Sequence, residues 1–271
     1  MSSARRSITI GGGIVVLMVL LSVCAPLLTA YGPNEVDTGA ILEPPSARHW
    51  AGTDNLGRDL FARILYGGRT SLGVAFGIVA IGMGAGALLG CAVGLAGGWV
   101  DRIAMRLVDV ALAIPSLVIA LALAAAVGPS LVNLVLILGG LGVPLYLRLF
   151  RSEALSLRER PFVLAARANG APAWRLLAVH ILPNIAPLFA TLASTALGTA
   201  LVAASALSFI GLGAQPPTPE WGALIFEGRN TIMHEWWAAV LPGLAVSLSA
   251  LGFVLLGDGL RDVLDPRGGG R

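Results

Sequence analysis

From Ser71 to Trp99 the chain carries no charged residue, and Gly82, Gly86, Gly90, Gly94 and Gly98 recur every fourth position. A helix of about 20 apolar residues crosses the roughly 30 Å hydrocarbon layer of a bilayer, and this run exceeds that length. Residues four apart share one helical face, so the glycines form a ridge without side chains against which a second helix can pack closely in lipid. The run is one of six. The others are Ile8 to Ala30, Ile103 to Val127, Leu131 to Leu147, Asn184 to Gly213 and Trp237 to Gly257. Their apolar character is continuous rather than alternating, which excludes a transmembrane β-barrel. Only 12% of the 271 residues are charged, about half the share of an ordinary soluble domain. The expected fold is therefore an all-α membrane protein of six spans.

Between the runs, Tyr31 to Ala51 contains Pro33, Pro44 and Pro45 and no periodicity, and reads as an external loop. Asp54 to Arg69 places Leu56, Leu60, Ile64 and Leu65 on one face and Arg58, Asp59 and Arg63 on the others, which predicts an amphipathic helix lying at the outer interface. Trp99 to Asp109 reads as a short turn, with Arg106 and Asp109 at helical pairing distance. Pro115 is expected to bend the third run, and Gly139, Gly140 and Pro144 to break the fourth. The first run follows Arg5 and Arg6 and is too long for a signal peptide, so it reads as a retained anchor.

Six spans put both termini on one side. With the termini inside, the internal segments hold Arg5, Arg6, Arg102, Arg106, Arg148, Arg151, Arg158, Arg160, Arg167, Arg175, Arg261, Arg267 and Arg271; the external ones hold only Arg48, Arg58, Arg63, Arg69 and Arg229. The positive-inside bias assigns the termini to the cytoplasm.

The same bias makes the polar stretch Arg151 to Pro183 cytoplasmic. It reads as a helical hairpin. One helix covers Leu157 to Asn169, Gly170 supplies a left-handed stop, and Pro172 opens a second helix that Pro183 ends near Ile181. The chain shows no nucleophile elbow, no catalytic carboxylate pair and no phosphate-binding loop. The glycines of GMGAGA lie inside an apolar span and follow no strand. Cys24 and Cys91 lack ligand-spaced neighbours, and His49, His180 and His234 are scattered, so no metal is expected. Apart from Asp109, near the inner end of the third run, the spans lack the mid-depth ionisable groups of an ion-coupled carrier. Energy would thus enter from outside the chain. On the hairpin, Phe162, Ala165, Ala166 and Asn169 share a face fit for docking, rimmed by Arg158, Arg160, Arg167 and Arg175. A competing reading lays the hairpin on anionic lipid of the inner leaflet.

The hairpin resembles the cytoplasmic signature of the membrane permeases of binding-protein-dependent ABC importers, Glu-Ala-Ala, three residues, Gly, nine residues, Ile-x-Leu-Pro. The matching positions are Leu164, Ala165, Ala166, Gly170, His180, Leu182 and Pro183, with Leu164 in place of Glu and His180 in place of Ile. GTDNLGRDLFARILYGGRTSL from Gly52, GGWVDRIAMRLVDVALAIPSL from Gly97, LSFIGLGAQPPTPEWG from Leu207 and LLGDGLRDVLDPR from Leu255 are similar to the "C"-type subunit of the peptide/nickel subfamily.

The resemblance implies a pathway subunit paired with a homologous second permease. Two ATPase subunits would bind the ATP and Mg that this chain does not, and would dock on Phe162, Leu164, Ala165, Ala166, Arg167, Gly170, Leu182 and Pro183. An extracytoplasmic binding protein would deliver a di- or oligopeptide, or else nickel, glutathione or another small solute. Thr191, Thr195, Thr199, Ser205 and Ser208 are candidates for the pathway lining, with bonding to helix backbone as the competing role. Gln215, Pro216, Pro217 and Trp221 are candidates for an outer gate. The organisation expected is an anchor, loop and amphipathic helix over 1–70, a permease core over 71–258 containing the hairpin 151–183, and a cytoplasmic tail over 259–271. A stand-alone channel or secondary carrier, and a membrane-embedded enzyme, are the readings from other classes.

Overall fold

The computed structural model describes residues 3–264. In chain order its helices are α1 (Ser3–Val23), α2 (Ala25–Leu28), α3 (Leu60–Ala96), α4 (Gly98–Leu112), α5 (Ser116–Val127), α6 (Leu131–Arg158), α7 (Pro161–Ala168) and α8 (Ala173–Arg175). A π-helical segment, Leu176–Ile181, then leads into α9 (Leu182–Phe209), followed by α10 (Trp221–Gly228) and α11 (Trp237–Leu264). Among the described residues five helices are long and apolar enough to cross a membrane, counting α8 to α9 as one, and α4 with α5 supplies a sixth span bent by 77°. The chain is an all-α, multi-pass membrane protein. Arg267 and Arg271 of the expected tail lie outside the described residues, and 259–264 continue α11 rather than forming a separate tail.

The core is the pair α3 and α6, which makes the most extensive helix contact in the molecule. The glycine ridge is the cause. A Cβ placed on Gly82 would lie 2.8 Å from the Gly139 carbonyl oxygen, one on Gly86 2.6 Å from Tyr146 Cβ, one on Gly90 2.5 Å from the Leu147 carbonyl oxygen, and one on Gly94 2.8 Å from the Arg151 carbonyl oxygen. Four successive turns of α3 thus touch the backbone of α6 where any side chain would hold the helices apart. Gly98, the last of the series, has already turned away into α4 and meets nothing within 4 Å. α1 packs on α11, and α11 on α9, so that α9 is held between α3 and α11.

Several expectations change. The predicted interfacial helix over Asp54 to Arg69 does not exist as a separate element. From Leu60 onward it is the first turns of α3, capped by the Asp59 carboxylate, which accepts from the Ala62 N–H at 2.7 Å. Arg58, Arg63 and Asp54 are buried rather than facing water. α6 runs unbroken through Gly139, Gly140 and Pro144, because in hydrocarbon a broken helix strands backbone groups that have no water to bond. Trp99 to Asp109 is helical, and Asp109 pairs with Arg148 of α6 instead of Arg106.

The hairpin's first helix is shorter than expected, α6 extending to Arg158. Its second helix does not stop at Pro183. The proline lacks an N–H and crowds the carbonyl four residues back. The helix accommodates this by widening just before the proline, where the Leu182 N–H bonds the Leu177 carbonyl, five residues back. The Asn184 side chain donates to the His180 carbonyl at 2.7 Å.

Replacing Gly90 by Leu is predicted to force α3 and α6 apart. Overpacking a core costs typically 1–3 kcal/mol. The detergent-solubilised variant should melt several degrees lower, while Gly84→Leu, at a glycine with nothing within 4 Å, should leave the melting temperature near that of the parent.

Candidate functional site

Two regions have the chemistry of a working site. The first is the hairpin. α7 is pinned by Val163, which is fully buried, and by Ala166, half-buried against the core. Gly170 adopts φ +78°, the left-handed conformation expected of it, and reverses the chain. The outward face then shows Phe162 and Leu164, each 43% exposed, and Trp174 at 69%. Ala165 and Arg167 are exposed beside them. Phe162 also lies against His180, ring centroids 6.3 Å apart, which ties the two arms of the hairpin together.

The helical face expected from the sequence is therefore rotated. Ala165 points out, but Ala166 points in. Leu182 is half-buried and Pro183 exposed. Trp174 was not singled out by sequence reasoning; the signal available was a large aromatic in the first turn of a charged, otherwise soluble hairpin.

An exposed aromatic and aliphatic patch ringed by Arg160, Arg167 and Arg175 has the composition of a protein-docking surface. Its mechanical setting is equally relevant. α8, the π segment and α9 are one continuous helix from Ala173 to Phe209. A force on the hairpin is thus delivered directly to the span that lies between α3 and α11.

The second region is a partly open cavity of about 250 Å³ lined by α3, α4, α5, α6 and α9. Its polar groups are the side chains of Ser116, Tyr146 and Thr199; Leu138, Leu141 and Leu145 supply much of the rest, and no charged side chain lines it. Of the five hydroxyl residues expected along a pathway, only Thr199 reaches this space. Thr191 donates to the Pro187 carbonyl at 3.1 Å, and Thr195 lies against Gly257 of α11. Ser205 and Ser208 are buried against Gly222 and Gly213. A period of four placed the threonines on one face correctly, yet that face is largely the α11 contact. Tyr146 and Ser116 come to the cavity from elements far away in sequence.

Trp221, a candidate for an outer gate, is held firmly in place. Its ring is buried, its indole N–H donates to the Ile64 carbonyl at 2.9 Å, and its backbone N–H donates to Ser71 Oγ at 2.9 Å. Ser71 in turn donates to Glu220, whose carboxylate caps α10 by accepting from the Gly222 and Ala223 N–H groups. Gln215 bonds back to carbonyls of its own loop, and it and Pro216 and Pro217 are exposed.

Beside this anchor lies a buried charge network. Asp54 accepts from Arg58 at 2.7 Å and from Arg63 at 2.6 Å, and Glu227 of α10 accepts from Arg58 at 2.6 Å and from Arg63 at 2.5 Å. The two cations and two anions lie within one cluster, and the Arg63 side chain has no exposed surface. The network locks the loop before α3, the start of α3 and α10 into one cap. Removing one member strands the others in a dry site, at about 3–5 kcal/mol. Glu227→Ala should therefore lower the melting temperature strongly, and proteolysis between residues 31 and 59 should speed up.

The model of the family described as "Binding-protein-dependent transport system inner membrane component" matches residues 82–268. The chain is 48% identical over 258 residues to the probable D,D-dipeptide transport system permease protein DdpC of Escherichia coli (strain K12), covering 95% of this chain and 87% of that protein. It is 44% identical to the dipeptide transport system permease protein DppC of Alkalihalophilus pseudofirmus, covering 94% and 84%. It is 40% identical to the glutathione transport system permease protein GsiD of Pectobacterium atrosepticum, covering 97% and 88%.

Proposed function

The chain belongs to the inner membrane components of binding-protein-dependent transport systems, the permease subunits of ABC importers, and from that membership we propose that it forms half of an ATP-driven pathway for di- or oligopeptides. The second half is a homologous permease. Two ATPase subunits bind ATP and Mg and grip the hairpin, and an extracytoplasmic binding protein brings the cargo to the outer cap. The termini and the hairpin face the cytoplasm.

The observation that carries this reading is the continuity of the exposed hairpin with α9. Closure of the ATPases on ATP moves α7, with Phe162, Leu164, Ala165, Arg167 and Trp174 as the contact. Gly170 and the widened turn at Leu176–Ile181 let α7 and α9 reorient without breaking the helix. α9 then shifts against α3 and α6, and the cavity at Thr199 and Tyr146 changes its access. A lining of Ser116, Tyr146 and Thr199 without charge suits a cargo that must be released quickly. A peptide backbone finds hydrogen-bond partners there, and neither of its charged ends finds a counter-ion to hold it.

The test uses the assembled transporter in proteoliposomes. Ala165→Arg places a bulky charge on the exposed docking face without touching the core. ATP-driven dipeptide uptake should fall at least about 30-fold, the loss of one hot spot of about 2 kcal/mol, with the amount of chain in the membrane unchanged. Wild-type uptake by this variant would sink the docking assignment. Competition of labelled dipeptide by unlabelled dipeptides, glutathione and nickel then fixes the cargo: dipeptides should compete and nickel should not, and displacement by glutathione alone would transfer the assignment to that tripeptide.

A further inference from the structure

Two ion pairs tie α4 to α6. Arg151 of α6 clamps the Asp101 carboxylate, its Nε donating at 2.6 Å. Arg148 of α6 pairs with Asp109. The two acids are eight residues apart on α4, about 12 Å along its axis, while the two arginines are three apart on α6, under about 5 Å. The 77° bend between α4 and α5 and the positive φ of both Gly97 and Gly98 give the chain the turns it needs at either end of α4.

The depth of α4 follows as well. Arg148 and Arg151 lie about 26 and 30 Å along α6 from Leu131, close to the thickness of a hydrocarbon core. With Leu131 at the outer surface, the two ion pairs lie near the inner boundary of the bilayer, where the bent span of α4 and α5 begins.

The outward face of α4 is sharply divided. Trp99, Ile103, Leu107 and Val110 are 67%, 53%, 68% and 71% exposed. Arg102 and Arg106, one turn apart, are exposed along the edge of this apolar strip. They, with Trp99, Ile103 and Leu107, line an open groove of about 580 Å³. The acids of the groove, Asp101 and Asp109, are already engaged by Arg151 and Arg148, and no ion pair joins Arg102 or Arg106 to an acid among the described residues.

We propose that this groove is a binding site for an anionic phospholipid of the inner leaflet, with Arg102 and Arg106 on the phosphate-bearing headgroup and Ile103 and Leu107 against the acyl chains. The charge decides the occupant. A zwitterionic lipid brings no net charge to two cations at an apolar edge, whereas an anionic headgroup brings net negative charge to them. The bound lipid supports α4 beside the ion pairs, whose Asp101, Asp109 and Arg151 line the same groove. α4 also contributes Leu112 to the wall of the cavity on the proposed pathway, so lipid and pathway share one element. The assignment stands independently of which cargo is carried.

The test is native mass spectrometry of the full chain in detergent, titrated with phosphatidylglycerol or phosphatidylcholine. Each arginine at a membrane surface adds roughly fivefold to anionic-lipid affinity, so two give a preference of roughly 25-fold. The double variant Arg102→Gln with Arg106→Gln, both exposed and outside the ion pairs, should lose that preference and keep the parent's melting temperature in lipid-free detergent. Arg5→Gln with Arg6→Gln should retain it. An undiminished preference in the first variant would overturn the proposal. So would a cysteine substitution, Ile103→Cys, that cross-links efficiently to the second permease in the assembled transporter, because the face would then be a protein interface. Labelling of that cysteine by a lipid-borne reagent is the supporting outcome.

Discussion

Backbone-to-backbone packing of α3 on α6 is the contact that the other elements depend on. In a bilayer the hydrophobic effect does not drive helices together, because lipid tails are as apolar as leucine. Association has to come from close packing, and the glycines at 82, 86, 90 and 94 allow it over four turns. α9 and the π segment before it rest on α3, α5 rests on α6, and α4 touches both members of the pair. The rigid pair is the frame against which α9 can move.

Charge does the remaining fixing, and it does so in two places. In one, Asp54, Arg58, Arg63 and Glu227 form a neutral buried cluster that welds the loop before α3 and α10 to the start of α3. In the other, Asp101–Arg151 and Asp109–Arg148 hold α4 on α6. Between them the cavity walls carry hydroxyl groups but no charge. The result is a chain stiff in both places with an uncharged middle, which matches the proposed passage of a polar but weakly held cargo.

The hairpin stands apart from both. Val163 anchors it, yet Phe162, Leu164 and Trp174 remain exposed. Soluble surfaces seldom leave so much aromatic and aliphatic area to water without a partner. Membership in the importer permease family and the physical state of the hairpin thus point the same way, one through similarity and the other through unsatisfied surface.

Length and polarity of segments were decided by the sequence alone. Runs without charge specify spans and the glycine period specifies a close helix contact, because each of these is a local property summed along the chain. The left-handed turn at Gly170 was legible for the same reason. What the tertiary structure decided is which neighbour each side chain meets. Arg58 and Arg63 look like a polar helix face until Glu227, far along the chain, neutralises them. Asp109 has Arg106 three residues away but takes Arg148, since a neighbouring helix offers its cation at closer range. Thr191 and Thr195 keep their period of four, yet α11 covers that face, and Tyr146 and Ser116 reach the cavity instead. Proline also defeats local rules: Pro144 is carried through by a continuous helix because the hydrocarbon gives a broken backbone nowhere to bond, and Pro183 because the turn before it widens.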